Sequence, residues 1–375
     1  MKRSRASLNQ KKPLFESCLL GFILGCLVTS TVFVFKKSHD FDFWLDSLAV
    51  EPTVNAKIDS IRRVVIKNLL HAVDCKFHEA ENDPNELMEE DPAKFIEKIK
   101  PNFWISLHKK QFDRIRWNSI MQNGMYYERQ ITNHFKEILS NKPKGLVVDV
   151  GMNIGWYTLF SRAMGHTVAA FDPNPIMHSR VCNSLKLNQL WDGISEDSSA
   201  TSGVTTFAYG LGDEPSTLNF TIAGNPGASS FIADGVVRKR GTLKVPVTTL
   251  DIAAAEMGWI QHDDNADSSK NIIHLLKIDC EGYEPYILRG ASKLLNSGQV
   301  HNILFESSPG KRTELVLEMF TTLYSAGYFV AHSSIKNADA IDQLNQHLQD
   351  GTLEGSDMHT YFSETKCDMW WKRRS

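Results

Sequence analysis

The sequence predicts a doubly wound α/β fold, with helices on both faces of a mostly parallel sheet, preceded by one apolar transmembrane helix. Three observations carry this reading. From residue 146 onward, short runs rich in Val, Ile, Leu and Phe alternate with amphipathic segments, as βα units of roughly 10–15 helical residues do when they feed a parallel sheet. The first of these runs empties into a glycine turn and a helix, and later runs end repeatedly in a carboxylate. Near the N-terminus, residues 17–35, SCLLGFILGCLVTSTVFVF, carry no charge at all.

The apolar helix comes first in the chain. At ~1.5 Å per residue it would span ~28 Å, close to the hydrocarbon thickness of a bilayer. It is longer than the ~7–15-residue core of a cleavable signal and ends in Phe33-Val34-Phe35-Lys36-Lys37 without a small-residue cleavage site. It therefore reads as an uncleaved anchor. Lys2, Arg3, Arg5, Lys11 and Lys12 precede it, while Lys36 and Lys37, then Asp40, Asp42 and Asp46, follow. The positive-inside rule then keeps the N-terminus cytoplasmic and sends the body across the membrane, a single-pass type II topology in the endoplasmic reticulum or Golgi.

The 375-residue chain is 42% apolar and 23% charged, enough for a sizeable core. A net charge of −3 without a dense basic tract lacks the electrostatic footprint of a nucleic-acid binder. Cys18 and Cys26 fall in the anchor, leaving Cys75, Cys182, Cys280 and Cys367. Their spacing suggests no zinc site and pairs none of them. Asn219-Phe220-Thr221 is a glycosylation sequon compatible with a lumenal body.

The elements follow in order. Residues 36–100 read as a stem with an acidic, solvated stretch, and 118–139 as a helix closed by Lys142-Pro143-Lys144-Gly145. Leu146–Val150 is a strand, Gly155–Met164 a helix, Thr167–Phe171 a strand and 175–188 a helix. Residues 195–203 form a serine-rich insertion. Val204–Tyr209 is a third strand reaching toward Gly212-Asp213, and 216–249 a hairpin excursion. After the loop HDDNADSSK come the strand Ile272–Ile278, a helix over 283–295, the strand Val300–Phe305 and a helix over 311–325. A last β-rich segment runs from Tyr328 through the Tyr361 region.

Ligands of such sheets bind beyond the carboxyl ends of the strands. The first strand delivers Asp149, Gly151, Asn153 and Gly155 there. Asp172 ends the second, Asp213 the third, Asp279 and Glu281 the fourth, and Glu306 the fifth. A dinucleotide fingerprint has three close glycines that let a pyrophosphate sit against the helix N-terminus. Here the pattern is D-x-G-x-N-x-G: the third glycine is missing and an acid stands in the approach. A carboxylate repels phosphate but pairs with an ammonium or a sulfonium-bearing amino acid. Asp172 is placed to accept hydrogen bonds from ribose hydroxyls. Acid, open glycine turn and ribose acid fit S-adenosylmethionine better than NAD; a turn serving only strand-to-helix packing is the plainer alternative.

VVDVGMNIGWYTL, VAAFDPNP, AYGLGD, LLKIDCEGYEPYILRGA and ILFE occur in the order seen in the FkbM family of S-adenosylmethionine-dependent methyltransferases, which the chain resembles over about residues 124–332, including the leading GMYYE. Met152 stands where that family usually has Ala, and Asp172 where Glu is commoner. The resemblance implies a Rossmann-like class I methyltransferase sheet. The chain then divides into a cytoplasmic tail (1–13), a signal anchor (14–35), a stem and helical linker (36–100), an FkbM-like methyltransferase domain (101–335) and a C-terminal extension (336–375). The resemblance further implies an O-methyltransferase, and with the anchor the expected acceptor is a hydroxyl on a glycan, lipid or other secretory-pathway molecule. Asp149, Gly151, Asn153 and Gly155 would line the methionine and sugar side of the cofactor, Asp172 would hold the ribose, and Asp213 would sit near the adenine or be a plain turn acid.

The KIDCEGYE segment is then the substrate-facing element. Methyl transfer is an in-line displacement that depends on positioning and desolvation, and a hydroxyl nucleophile gains from a general base. Asp279 or Glu281 is the candidate base. Lys277 either sets its charge state, orients the substrate or forms a structural ion pair. Together with Glu306 these acids offer an alternative reading as a divalent-metal site, although no metal ligand is assigned. Glu284 suits the positive end of a helix dipole. His134, His166, His274 and His301 read as structural, and MWWKRRS as a packed or frayed tail or a membrane-touching one. Two other classes stay open: a catalytically inactive membrane-anchored scaffold and a nucleotide-dependent oxidoreductase.

Overall fold

Seven strands build one sheet, in the spatial order Tyr328–Ser333, Cys367–Arg373, Asn302–Ser307, Ile273–Ile278, Leu146–Val150, Thr167–Phe171 and Val204–Phe207. The computed structural model describes residues 75, 92–126, 128–140, 142–188, 203–232, 236, 238–260, 272–307, 313–334, 338–361 and 367–374. The anchor, the tail before it, most of the stem and the two serine-rich loops lie outside the described residues. Among the described residues no helix is long and apolar enough to cross a membrane.

In chain order the elements are β1 (Ala93–Ile96), β2 (Phe103–Ser106), α1 (Arg114–Trp117), α2 (Arg129–Ser140), β3 (Leu146–Val150), α3 (Trp156–Ala163), β4 (Thr167–Phe171), α4 (Pro175–Leu187) and β5 (Val204–Phe207). A small sheet follows, from β6 (Gly210–Gly212), β7 (Ser216–Ile222) and β8 (Gly241–Thr249). Next come α5 (Leu250–Glu256), β9 (Ile273–Ile278), α6 (Glu284–Arg289), α7 (Ser292–Asn296), β10 (Asn302–Ser307) and α8 (Thr313–Ser325). The chain closes with β11 (Tyr328–Ser333), α9 (Ala338–Asp350), α10 (Gly355–Tyr361) and β12 (Cys367–Arg373).

The central strands pair in parallel, and β12 runs antiparallel to both its neighbours. The chain starts at β3, walks outward to β5, and then restarts on the other side at β9. The strand order thus reverses between β3 and β9, the switch point at which open α/β sheets bind ligands. Both faces are covered. Neighbouring residues point to opposite sides of a strand, so Val147 and Leu275 join a core with Trp156, Phe160 and Phe135, while Val148 and Leu276 join one with Phe305, Phe320 and Trp371.

Several expectations are corrected. The third strand leaves the main sheet after Phe207, and Gly210–Gly212 pairs with β8 instead; Asp213 therefore does not end a strand of the main sheet. The helix expected over 283–295 is two helices, broken where a Cβ on Gly290 would collide with the Gly212 carbonyl. The terminal segment is largely helical: Ala340, Leu344 and Leu348 bury one face of α9 at helical spacing. Residues 367–373, expected in an extension, form a strand inside the sheet, with Cys367, Met369 and Trp371 buried alternately. Part of the linker forms the β1–β2 hairpin. Cys75 and Cys182, which spacing could not pair, form a disulfide between the stem and α4.

Candidate active site

At the end of β3 the chain turns sharply. Gly151, Asn153 and Gly155 adopt φ of +77°, +54° and +83°, values that glycine and asparagine accept most readily. Every N–H of the turn is used within the protein. Gly151 and Met152 donate to the Phe171 carbonyl (2.8 and 3.1 Å), and Gly155 donates to that of Met152 (2.9 Å). Asn153 donates to Asp172 Oδ2 (3.0 Å) and Ile154 to Asn153 Oδ1 (2.9 Å). A pyrophosphate needs those donors, so the turn offers a dinucleotide little. Nor is it open at Gly151, where a Cβ would collide with the Asp279 carbonyl; one at Gly155 would lie 2.7 Å from Val181 Cγ2. These glycines let β9 and α4 close on the turn.

Behind the turn, register places Asp149 beside Lys277. Asp149 is fully buried; its Oδ2 accepts from Thr158 Oγ1 (2.6 Å), and its Oδ1 lies 3.5 Å from Lys277 Nζ, an ion pair without hydrogen-bond geometry. Lys277 also donates to the Gly151 carbonyl (3.2 Å), lies 3.5 Å from Asp279 Oδ2, and stands 5.0 Å over the Tyr157 ring. Burial alone would lower the Lys277 pKa, but Asp149, then Asp279 and Glu128, reverse this and hold it raised. Lys277 is therefore a fixed cation between β3 and the β9 end.

Asp172 is buried, and its Oδ1 accepts from Asn174 N–H (2.9 Å). Burial raises its carboxyl to about 7, against the backbone donors of Asn174 and Asn153, which lower it. Its two oxygens thus brace the β3 and β4 turns, each keeping a further lone pair. Glu281 is half-buried with a left-handed φ of +54°, and its carbonyl accepts from Ser230 Oγ (3.4 Å). Glu284 does more than answer a helix dipole: its buried Oε1 accepts from Cys280 N–H (2.7 Å) and Gly282 N–H (3.2 Å), clamping the 279–284 turn. Burial raises it to about 7, again against backbone donors.

Asp279 and Glu306 border one small, open cleft, with Lys277, Glu128, Ile131 and Asp368 among its other walls. Glu128 Oε2 accepts from Tyr157 Oη (2.8 Å). The structure thus brings Asp149, Gly151, Lys277 and Asp279 together, with Asn153 and Asp172 bonded beside them. Asp213 instead pairs with the exposed Arg289 (3.3 Å) on α6. Among the described residues no three His, Cys, Asp or Glu side chains group as a metal would require. His166 and His274 bond the backbone of the 143–145 turn, at the opposite ends of the strands. Sequence reasoning assigned nothing to Glu128, Tyr157, Thr158 or Asp368. The first three sit in the motifs GMYYE and GWYTL, which were the available signal, whereas only the pairing of β12 brings Asp368 to the cleft.

A family model described as a methyltransferase FkbM domain matches residues 149–330. Methyltransferase sdnD of Sordaria araneosa is 27% identical over 203 residues, covering 48% of this chain and 74% of that protein. Methyltransferase 1 of Beauveria bassiana (strain ARSEF 2860) is 28% identical over 153 residues, covering 38% and 57%. Among solved structures, Methyltransferase FkbM from Methylobacillus flagellatus KT aligns with 18% identity and a TM-score of 0.31, over 50% of this chain and 40% of that one. The match thus spans about two fifths of that structure's chain.

Proposed function

We propose, from the match of a methyltransferase FkbM domain model to residues 149–330, that the chain is a membrane-anchored, lumenal O-methyltransferase acting on a hydroxyl of a glycan, lipid or other secretory-pathway molecule. Its methyl donor is S-adenosylmethionine, which when bound supplies an activated sulfonium methyl. The residues at the β3–β9 switch point fit that donor. The turn has spent its own N–H groups, so it selects a ligand that brings donors and positive charge, and Asp149 and Asp172 lie behind and beside it.

The observation that supports a hydroxyl acceptor is the placement of Asp279. It is 28% exposed, borders the cleft next to the turn, and lies 3.5 Å from a Lys277 already held by Asp149. In this reading Asp279 takes the acceptor's hydroxyl proton, Lys277 fixes the carboxylate's orientation, and Glu281 is the second candidate base. The cleft's carboxylates accept hydrogen bonds from the other hydroxyls of a polyol. The Cys75–Cys182 disulfide supports the lumenal placement, because such bonds persist in oxidising compartments. An oxidoreductase is disfavoured by the same donor count that disfavours pyrophosphate.

The test incubates the full-length chain with methyl-labelled S-adenosylmethionine and glycan, lipid and protein extracts. The reading expects label in an alkali-stable O-methyl product, lowered roughly 10²- to 10⁴-fold by Asp279→Asn, as loss of a general base would do. Label on nitrogen, or turnover unchanged in Asp279→Asn and Glu281→Gln alike, would contradict it.

A further inference from the structure

Among the described residues five large apolar side chains stand exposed: Phe95, Trp104, Ile115, Leu187 and Leu243. Three of them belong to one edge of the molecule. Register sets Phe95 opposite Trp104 in the β1–β2 hairpin, and their ring centroids lie 5.3 Å apart. The two rings are 37% and 40% exposed, while Ile96, Phe103 and Ile105 of the same strands are buried in the core. Asn188, which caps the end of α4, holds Trp104 by both backbone groups. Its Oδ1 accepts from Trp104 N–H and its Nδ2 donates to the Trp104 carbonyl, each at 2.6 Å. Leu187, one residue earlier and 47% exposed, joins this edge.

A cross-strand aromatic pair can serve a hairpin alone, but two further features give this face a partner. The first is charge. The turn between β1 and β2 carries Lys98 and Lys100, both exposed. Lys94 lies on β1 and Lys186 in the last turn of α4, and Glu97 is the one acid of the hairpin. In a chain of net charge −3, a basic rim around exposed aromatics is a local departure. The second is the tether. Cys75 is bonded to Cys182 on α4, five residues, or ~7.5 Å along the helix axis, from Leu187. The chain that leads from the apolar segment 17–35 is thus covalently tied to the helix that bears this edge.

We infer that the face formed by Phe95, Trp104 and Leu187 rests on the membrane surface, with the rings at the headgroup boundary and the lysines on the lipid phosphates. Aromatic and aliphatic side chains beside lysines are what interfacial segments use, because apolar burial and attraction to lipid charge add there. An anchored chain meets the bilayer at a high effective concentration, so contacts too weak to recruit a free protein suffice to orient a tethered one. The inference rests on the membrane-anchored reading.

The test is the tryptophan fluorescence of the full-length chain reconstituted in phosphatidylcholine vesicles, with and without phosphatidylserine. The lipid acyl chains are either plain or brominated near the headgroup, and bromine quenches rings that reach the bilayer. The variants are Trp104→Phe, and Lys98→Glu combined with Lys100→Glu; each changes exposed side chains only. The wild type is expected to lose emission in brominated vesicles, and to lose more with phosphatidylserine present. Trp104→Phe should lower the fraction quenched, because it removes an emitter at the bilayer. The lysine variant should lose the gain from phosphatidylserine. Were Trp104 away from the bilayer, removing it would leave the quenched fraction equal or higher. That result, or a gain indifferent to the lysines, would overturn the inference and leave the face to the stem or to a second copy of the chain. An alkaline carbonate wash of the same vesicles reads the anchor separately. A chain released by it would overturn the anchored reading and this inference with it, whereas a retained chain whose Trp104 is not quenched would overturn the inference alone.

Discussion

Asp149 and Lys277 meet because parallel pairing sets them side by side, one from each strand flanking the switch point. Both are buried, so each stabilises the other chiefly by preventing an uncompensated charge. Lys277→Met should therefore destabilise the protein by about 3–5 kcal/mol, the cost of leaving a buried charge unpaired, read as a lower urea midpoint at unchanged m. Asp172 and Glu284 give a pH signature. Each is held near about 7 by burial, whereas an unfolded carboxyl titrates near about 4. A carboxyl raised in the folded state contributes stability fully present below its unfolded pKa and lost as pH rises through the folded value. Asp172→Asn and Glu284→Gln cannot titrate, so each should gain relative to wild type between about pH 4 and about pH 7. Thermal unfolding across that range measures this; curves parallel to wild type would contradict it.

β3 and β4 were legible to the residue, because near-continuous apolar runs bounded by glycine or proline read as doubly covered strands. The glycine turn is legible as a strand-to-helix turn, but its hydrogen bonds are not, since register and φ decide them. The sequence AYGLGD carries apolar character straight through the point where the chain leaves the main sheet, so nothing local marks the exit after Phe207. The C-terminus is hard to read for a different reason. α9 is mostly polar with a thin apolar stripe, and β12 carries an acid near its start and basic residues at its end, so only tertiary pairing reveals its place between β10 and β11. Trp371, fully buried against Phe305 and Phe320, fixes that strand. Trp371→Ala should cost about 3–5 kcal/mol, as large-to-small core changes do, and a variant ending at 366 should unfold far more easily, measured by circular dichroism melts. A variant lacking β12 with the full-length midpoint would refute the strand's structural role.

Across the whole molecule, segments outside the family-matched span complete the site. Glu128 and Ile131 precede it in the chain, Asp368 follows it, and all three border the cleft beside Asp279. The Cys75–Cys182 bond ties the stem to α4 across 107 residues of sequence. Loop-closure arguments assign a bridge of that span roughly 2–5 kcal/mol, so reduction should lower the thermal midpoint, and Cys75→Ser should reproduce the reduced value. A reductant-insensitive midpoint would show that the bond is absent or does not stabilise the fold. The central claim is that the β3–β9 switch point was built for a cationic amino-acid cofactor rather than a pyrophosphate. It is tested most directly by titrating the full-length chain, in parallel, with S-adenosylmethionine by calorimetry and with NADH by fluorescence. One S-adenosylmethionine per chain with no NADH binding is the predicted result; saturable NADH binding without S-adenosylmethionine binding would contradict it.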